Sequence, residues 1–350
     1  MEQNFVIAVD RYNLIPTALV SAAAPSNIAL VKYWGKRENQ IPANPSVSFT
    51  LTESRTTTAV RFTKGDGKVK VRLDGEDKPG FAPKIEDFIN RIASYSPIVR
   101  LYDWDINTSN TFPHSSGIAS SASGMAALAG CLVDFEEICG ICFKGTEKIE
   151  RQSFMARLGS GSACRSVYPG VVVWGETDAL EGSSNLYGVP ARNVNDVFAG
   201  FHDTILLIES GVKRVSSTAG HGLMHKNVFA EQRFAQAHEN TKKILQLLEN
   251  DNIEAVGKII EQEALSLHAM MLTSETPFIL MQPNTLSVLH AVWDYRAEHE
   301  KNLYFTLDAG ANVHLLYPEA EAEQIQSWIE ENLAKYCQDG KMIHDRVAIK

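Results

Sequence analysis

The sequence predicts an α+β protein of two domains. A chain of 350 residues is long for a single hydrophobic core. Strand-like and helix-like segments are interspersed without the strict βα alternation of a doubly wound sheet. A polar stretch over residues 178–195, with GSSN and a proline, separates two structured halves. The expected domains are therefore residues 1–195 and 196–350.

In order along the chain, short β-like runs come first: SVSFTL (46–51), TTTAVRF (56–62) and KVKVRLD (68–74). The last alternates charged and apolar residues with period two, as a half-exposed strand does, and lies between the turn signals KGDGK and DGED. A helix is expected over 84–92. The serine-rich tract FPHSSGIASSASG (112–124) then runs into MAALAGCLV, which is helical by propensity. A helix over 146–158, a Gly/Ser turn at 159–163 and the strand GVVVW (170–174) complete the first half. In the second half DTILLIES (203–210) reads as a buried strand, and amphipathic helices follow near 229–248 and 253–271. The second of these places Ile253, Val256, Ile260, Ala264 and Leu267 on one face. A helix over 284–300 starts just after Pro283; the strands NLYFTLDAG and NVHLLYP and a final helix over 319–336 end the chain. No internal repeat is present.

Composition narrows the function classes. Hydrophobic content of 44% with 21% charged residues is that of a soluble globular protein, and a net charge of −9 argues against general binding to nucleic acid or membrane surfaces. No apolar run has membrane-spanning length, and MEQNFVIAVD lacks the pattern of a signal peptide. Five cysteines make no disulfide framework, so a cytoplasmic protein is expected. Cys139 and Cys142 have CxxC spacing without a second ligand pair, which reads as idle thiols. His221 and His225 have the spacing of a zinc helix but lack its glutamate and enclose a glycine.

Four polar stretches exceed what a fold requires. In the first, Ser120, Ser121 and Ser123 open a helix behind Gly117. Hydroxyls and free amides there suit either a capped helix or a polyphosphate, without the Walker pattern. The second, NIALVKYWGKR (27–37), clusters Lys32, Lys36 and Arg37 with Tyr33 and Trp34, either as a solvated edge or as an anion clamp. In the third, GSGSACRS (159–166), a glycine-serine turn precedes Arg165, whose fork matches a carboxylate. The fourth, TLDAGAN (306–312), ends a strand on Asp308, which is a turn residue or a general base.

Together, APSNIALVKYWGKR, GIASSASG, GSGSACRS and LDAGAN, in that order and spacing, resemble the diphosphomevalonate decarboxylase branch of the GHMP kinase superfamily across nearly the whole chain; VSSTAG (215–220) looks like a further family segment. The resemblance implies an N-terminal domain like ribosomal protein S5 domain 2 and a ferredoxin-like C-terminal domain. It also implies ATP-dependent 3-phosphorylation of 5-diphosphomevalonate, followed by loss of phosphate and CO2 to give isopentenyl diphosphate. By the same resemblance Asp308 is the catalytic aspartate, Lys32 the active-site lysine and Arg165 the arginine that holds the carboxylate. Tyr33, Lys36, Ser160, Gly161 and Ser162 fall on the substrate side. Asn110, Gly117, Ser120, Ser121 and Ser123 fall on the nucleotide side, with Ser121 beside Mg2+ on the ATP phosphates. A homodimer is implied as well.

Two departures stand out. The chain has PHSSGIASSA where many members read PTAAGLASSA, and His114 has no assigned role. It has GHGLMHKN (220–227) where many carry a GM-x-x-x-VETS-like helix start, with an arginine for the substrate diphosphate near Leu223 in some relatives. The number of phosphates on the substrate is therefore open, with Lys213, Arg214, His225 and Lys226 as alternative cations. The competing expectations are a 5-phosphomevalonate decarboxylase, a 3-kinase that stops at the phosphorylated intermediate, and a catalytically silent GHMP-fold sensor.

Overall fold

The structure is a computed structural model that describes residues 2–113, 120–209 and 217–348. Its strands are β1 (Thr17–Val31), β2 (Ser46–Lys64), β3 (Val69–Leu73), β4 (Glu76–Asp77), β5 (Tyr102–Asn110), β6 (Val171–Trp174), β7 (Val189–Pro190), β8 (His202–Leu206), β9 (Tyr304–Thr306), β10 (Val313–Tyr317) and β11 (Met342–Arg346). Its helices are α1 (Ala82–Ile92), α2 (Ser120–Ile138), α3 (Glu147–Gly159), α4 (Asp196–Ala199), α5 (Ser217–Leu223), α6 (Ala230–Leu248), α7 (Ile253–Leu272), α8 (Pro283–His299) and α9 (Ala322–Leu333). The strands form two sheets, one of seven strands drawn from β1 to β7 and one of four ordered β11-β8-β10-β9. This is the α+β class that the sequence predicts.

The strands expected at 46–51 and 56–62 are one strand, β2, with β1 along one edge and β6 then β5 along the other. Glu53, Ser54 and Arg55 interrupt the apolar pattern because β2 changes partner there. The backbone N–H groups of Thr52, Glu53 and Ser54 donate to the carboxylate of Asp345, in β11, at 2.9, 2.8 and 2.7 Å. A side chain some 290 positions away in sequence thus supplies hydrogen bonds that no neighbouring strand gives, and periodicity along the chain cannot register it.

The first core lies between the larger sheet and α1, α2 and α3, around Phe62, Phe88, Trp104, Phe135 and Phe154. A second joins the two sheets, where Leu30, Val47 and Phe49 meet Ile205, Ala237, Ile244 and Ile260. The third fills the space between the four-stranded sheet and α8 and α9. Helix α7 sits directly on β9: a Cβ on Gly257 would come within 2.2 Å of the Tyr304 ring. This contact fixes the height of the strand from which the TLDAGAN turn emerges.

Gly257→Ala is expected to lower the thermal midpoint. Overpacking of about 1–3 kcal/mol outweighs the roughly 1 kcal/mol that alanine adds to helix propensity. A midpoint at or above that of the parent protein, measured by circular dichroism, would show that the Tyr304 ring can yield.

Candidate active site

The functional side chains come from the ends of elements. Lys32 follows β1, Asp308 follows β9, and Arg165 sits in a 3-10 turn, Gly161–Val167, between α3 and β6. Lys32 is 1% exposed, and its Nζ lies 2.9 Å from Asp308 Oδ1, so the second and fourth stretches meet. The carboxylate of Asp308 stays 29% exposed, reachable by a ligand. The chain at Lys32 is held from three sides: its N–H donates to Glu263 Oε2 at 2.9 Å, while Asn44 Nδ2 (3.0 Å) and Arg233 Nη2 (3.5 Å) donate to its carbonyl.

Arg165 is 2% exposed. Its guanidinium donates to Asn27 Oδ1 at 3.3 and 3.4 Å and to Ser46 Oγ. Among the described residues no carboxylate forms an ion pair with it. A buried cation supported only by neutral acceptors calls for an anion from elsewhere. Burial holds both Arg165 and the Lys32 amine below their usual pKa ranges; Asp308 draws each back up, and Arg165 pushes Lys32 down. The three charges therefore act on one another across a single cleft.

The first and third stretches meet as well. Ser121 Oγ, at the start of α2, donates to Ser160 Oγ at 2.9 Å. Beside them lies a cavity of ≈ 240 Å³ whose walls include Asn110, Ser120, Ser121 and Lys84, with Val71, Ile85 and Ile106 forming an apolar floor. Polar groups at a helix N-terminus beside an apolar slot suit a ligand with a flat ring and a phosphate tail. Ser123 does not line the cavity itself; it is fully buried, 2.7 Å from Thr56 Oγ1, which in turn donates to Asn110 Oδ1 at 2.7 Å, and both of those residues do line it. Gly117 and His114 lie outside the described residues, as do Lys213 and Arg214.

Tyr33 stands edge-on to Trp174, with ring centroids 4.7 Å apart, and its hydroxyl is sealed from solvent without a hydrogen-bond partner among the described residues. Gly161 allows this: a Cβ there would come within 2.9 Å of that hydroxyl and 2.6 Å of Trp174. Asn27 also ties Ser162 into the site, donating to its carbonyl at 3.3 Å and to Ser166 Oγ at 2.7 Å. Lys36 is half-buried and donates to Gln40 Oε1 at 3.1 Å.

Sequence reasoning overlooked several contributors. Asn27 and Ser46 orient Arg165, and Glu263 anchors Lys32; Ser46 and Glu263 sit in elements whose pattern reads as ordinary strand and helix, and Asn27 opens the 27–37 stretch without a role of its own. Arg91 in α1 is another. Burial holds Lys36 and Lys84 below the usual amine range, and Arg91 lowers both further. Three cations thus converge where the serine-lined cavity approaches the Tyr33 side, and among the described residues none of them forms an ion pair.

Fold and site together define a two-domain GHMP-kinase-type protein, with the serine-bearing start of α2 beside one cavity and a lysine–aspartate–arginine group close together. Two family models match: the diphosphomevalonate decarboxylase-like N-terminal domain over residues 24–185 and the mevalonate 5-diphosphate decarboxylase C-terminal domain over residues 204–348. The chain belongs to the diphosphomevalonate decarboxylase family. A diphosphomevalonate decarboxylase of Ganoderma lucidum is 29% identical over 332 residues, 87% of this chain and 80% of the relative. The mevalonate diphosphate decarboxylase structure from Staphylococcus aureus superposes with a TM-score of 0.82 at 27% identity, covering 95% of this chain and 97% of its own. A structure described as MDDEF in complex with MVAPP, AMPPCP and magnesium superposes with a TM-score of 0.81, also at 27% identity, covering 95% and 98%.

Replacing Glu263 by alanine is expected to cost about 3–5 kcal/mol, because Arg233 would remain buried without its carboxylate. Urea titration of parent and variant measures this. A loss under about 1 kcal/mol would mean that water or another group takes over the pairing.

Proposed function

We propose that the protein catalyses ATP-dependent decarboxylation of 5-diphosphomevalonate to isopentenyl diphosphate. The observation that carries this reading is Arg165, a buried cation without a carboxylate partner among the described residues, set beside the Lys32–Asp308 pair. A kinase that only phosphorylates a hydroxyl needs the aspartate and the phosphate loop. A reaction that also expels CO2 needs a fixed place for the departing carboxylate, and Arg165 supplies one.

Asp308, exposed toward the cleft, accepts the proton of the tertiary 3-hydroxyl as its oxygen attacks the γ-phosphorus of ATP. Lys32 pairs with that carboxylate and aims it. Phosphorylation turns hydroxide, a very poor leaving group, into phosphate. The C3–O bond then breaks as the C1–C2 electron pair becomes the C2=C3 double bond, releasing CO2. Arg165 holds C1 as a carboxylate through these steps, and Ser160, Gly161 and Ser162 line the substrate beside it. Asn110, Ser120 and Ser121 border the nucleotide cavity, with Gly117 assigned to the same loop by resemblance. Ser121 would be the hydroxyl beside Mg2+ brought in with ATP, which would supply positive charge to the transferring group. Tyr33 and Lys36 face the far phosphate end.

Support for ATP and Mg2+ comes from the AMPPCP and magnesium in the similar complex. The reading also assigns the nucleotide to residues 1–195 and the GHMP domain to residues 196–350, in a cytoplasmic homodimer. Among the described residues no helix is long and apolar enough to cross a membrane.

Asp308→Asn is expected to retain ATP binding and lose at least about 10²-fold in turnover, the scale of a missing general base. A coupled assay of ADP release with a parallel nucleotide-binding titration checks both, and near-parental turnover would remove Asp308 from its role. Arg165→Lys is expected to lower CO2 release as well, since an ammonium cannot span a carboxylate as a planar fork does. Equal CO2 yield from the lysine variant would make Arg165 peripheral. Best turnover on 5-phosphomevalonate would change the substrate.

A further inference from the structure

His221, in α5, is held in one orientation by contacts that leave one nitrogen free. The ring packs against Tyr33 and Trp34, with centroids 4.3 and 4.6 Å away. Its Nδ1 accepts the N–H of Gly35 at 2.9 Å. Gly220, just before it, lets α5 lie on Trp34, because a Cβ there would come within 2.5 Å of the indole. An imidazole that accepts at Nδ1 carries its proton on Nε2. The residue is 8% exposed, and Nε2 has no hydrogen-bond partner among the described residues. Burial, with Lys36 nearby, holds the ring neutral, its pKa lowered to about 3.

These constraints make the free edge of His221 a fixed, uncharged N–H donor. Its ring touches Tyr33 and lies near Lys36, in the stretch that continues from Lys32, whose amine contacts Asp308. Arg165 and Asp308 already serve the carboxylate and hydroxyl of a substrate bound as described above, so the unmet donor answers to its other end. We propose that His221 is a specificity-determining residue whose Nε2–H donates to the phosphoryl group at the far end of the substrate and favours a diphosphate over a monophosphate. This rests on the reading under Proposed function. It assigns phosphate recognition in GHGLMHKN to a neutral imidazole at the start of the segment rather than to one of its cations.

Two variants separate this contact from a packing role. Asparagine at 221 can accept from Gly35 as Nδ1 does but is too short to reach the Nε2 position; glutamine reaches it with an amide N–H. A packing role predicts that both variants behave alike. A donor role predicts that His221→Asn raises KM for 5-diphosphomevalonate by about 10–100-fold, the scale of one hydrogen bond to a charged group. It also predicts kcat within about threefold and a lower ratio of kcat/KM for the 5-diphosphate over the 5-phosphate, with His221→Gln recovering most of that ratio. Calorimetric titration with inorganic diphosphate reads the contact without turnover and should weaken about tenfold in His221→Asn. Equal behaviour of the two variants, or an unchanged ratio, overturns the proposal. If the parent protein turns over no mevalonate derivative while diphosphate binding still weakens in His221→Asn, the reaction is wrong and the contact stands.

Discussion

The buried carboxylate of Glu263 is the interaction on which the site depends. It is fully buried in α7, where it accepts from both terminal nitrogens of Arg233, from Asn240 Nδ2 at 2.6 Å and from the backbone N–H of Lys32. Arg233 and Asn240 belong to α6 and Lys32 follows β1, so one side chain ties two helices of the C-terminal half to the end of a strand from the N-terminal half. Ionising a carboxylate in such a place is costly unless every lone pair is met, and here four donors meet them. The lysine backbone has little freedom left as a result. Its side chain can hold the 2.9 Å pair with Asp308 only because that backbone is fixed.

The same helix supports the partner. His268, one turn and a half beyond Glu263 in α7, lies with Nε2 3.2 Å from the carbonyl of Asp308, and burial lowers its pKa to about 4. A neutral ring there can donate to the carbonyl without adding a charge beside the Lys32–Asp308 pair. Helix α7 therefore sets both ends of that pair, and its close seat on β9 at Gly257 fixes the distance between them. Arg165 is positioned by separate means, through Asn27 at the bulge of β1 and Ser46 at the start of β2. Two independent supports converge on one cleft, so loss of either should spare the other.

Charge is distributed unevenly in a protein that carries −9 overall. Around the cleft Lys36, Lys84, Arg91 and Arg165 form no ion pairs among the described residues, whereas Lys32 pairs with Asp308 and the buried arginines 151 and 233 bond to Glu136 and Glu263. Structural cations are thus neutralised internally, whereas these four keep their charge available to an anionic ligand. Net charge reports solubility; the local arrangement reports the substrate.

Much of this was legible in the residue order. The helices over 84–92, 229–248 and 253–271 recur within a few positions of their expected ends, because their apolar stripes are local and periodic. Lys32, Arg165, Asp308 and Ser121 were marked by residue types that a fold alone does not need, and the structure brings Lys32 to Asp308 and Ser121 to Ser160. The chain by itself could not reveal that β1 is a strand at all, since TALVSAAAPSNIALV mixes small residues with a proline and its pairing depends on β2. Nor could it single out Glu263 from the other glutamates of α7, or the Nε2 edge of His221 from an ordinary histidine spacing. Periodicity and propensity are carried by neighbours in sequence. Which carboxylate is buried, which cation lacks a partner and which nitrogen is left free are decided by residues brought together from distant parts of the chain.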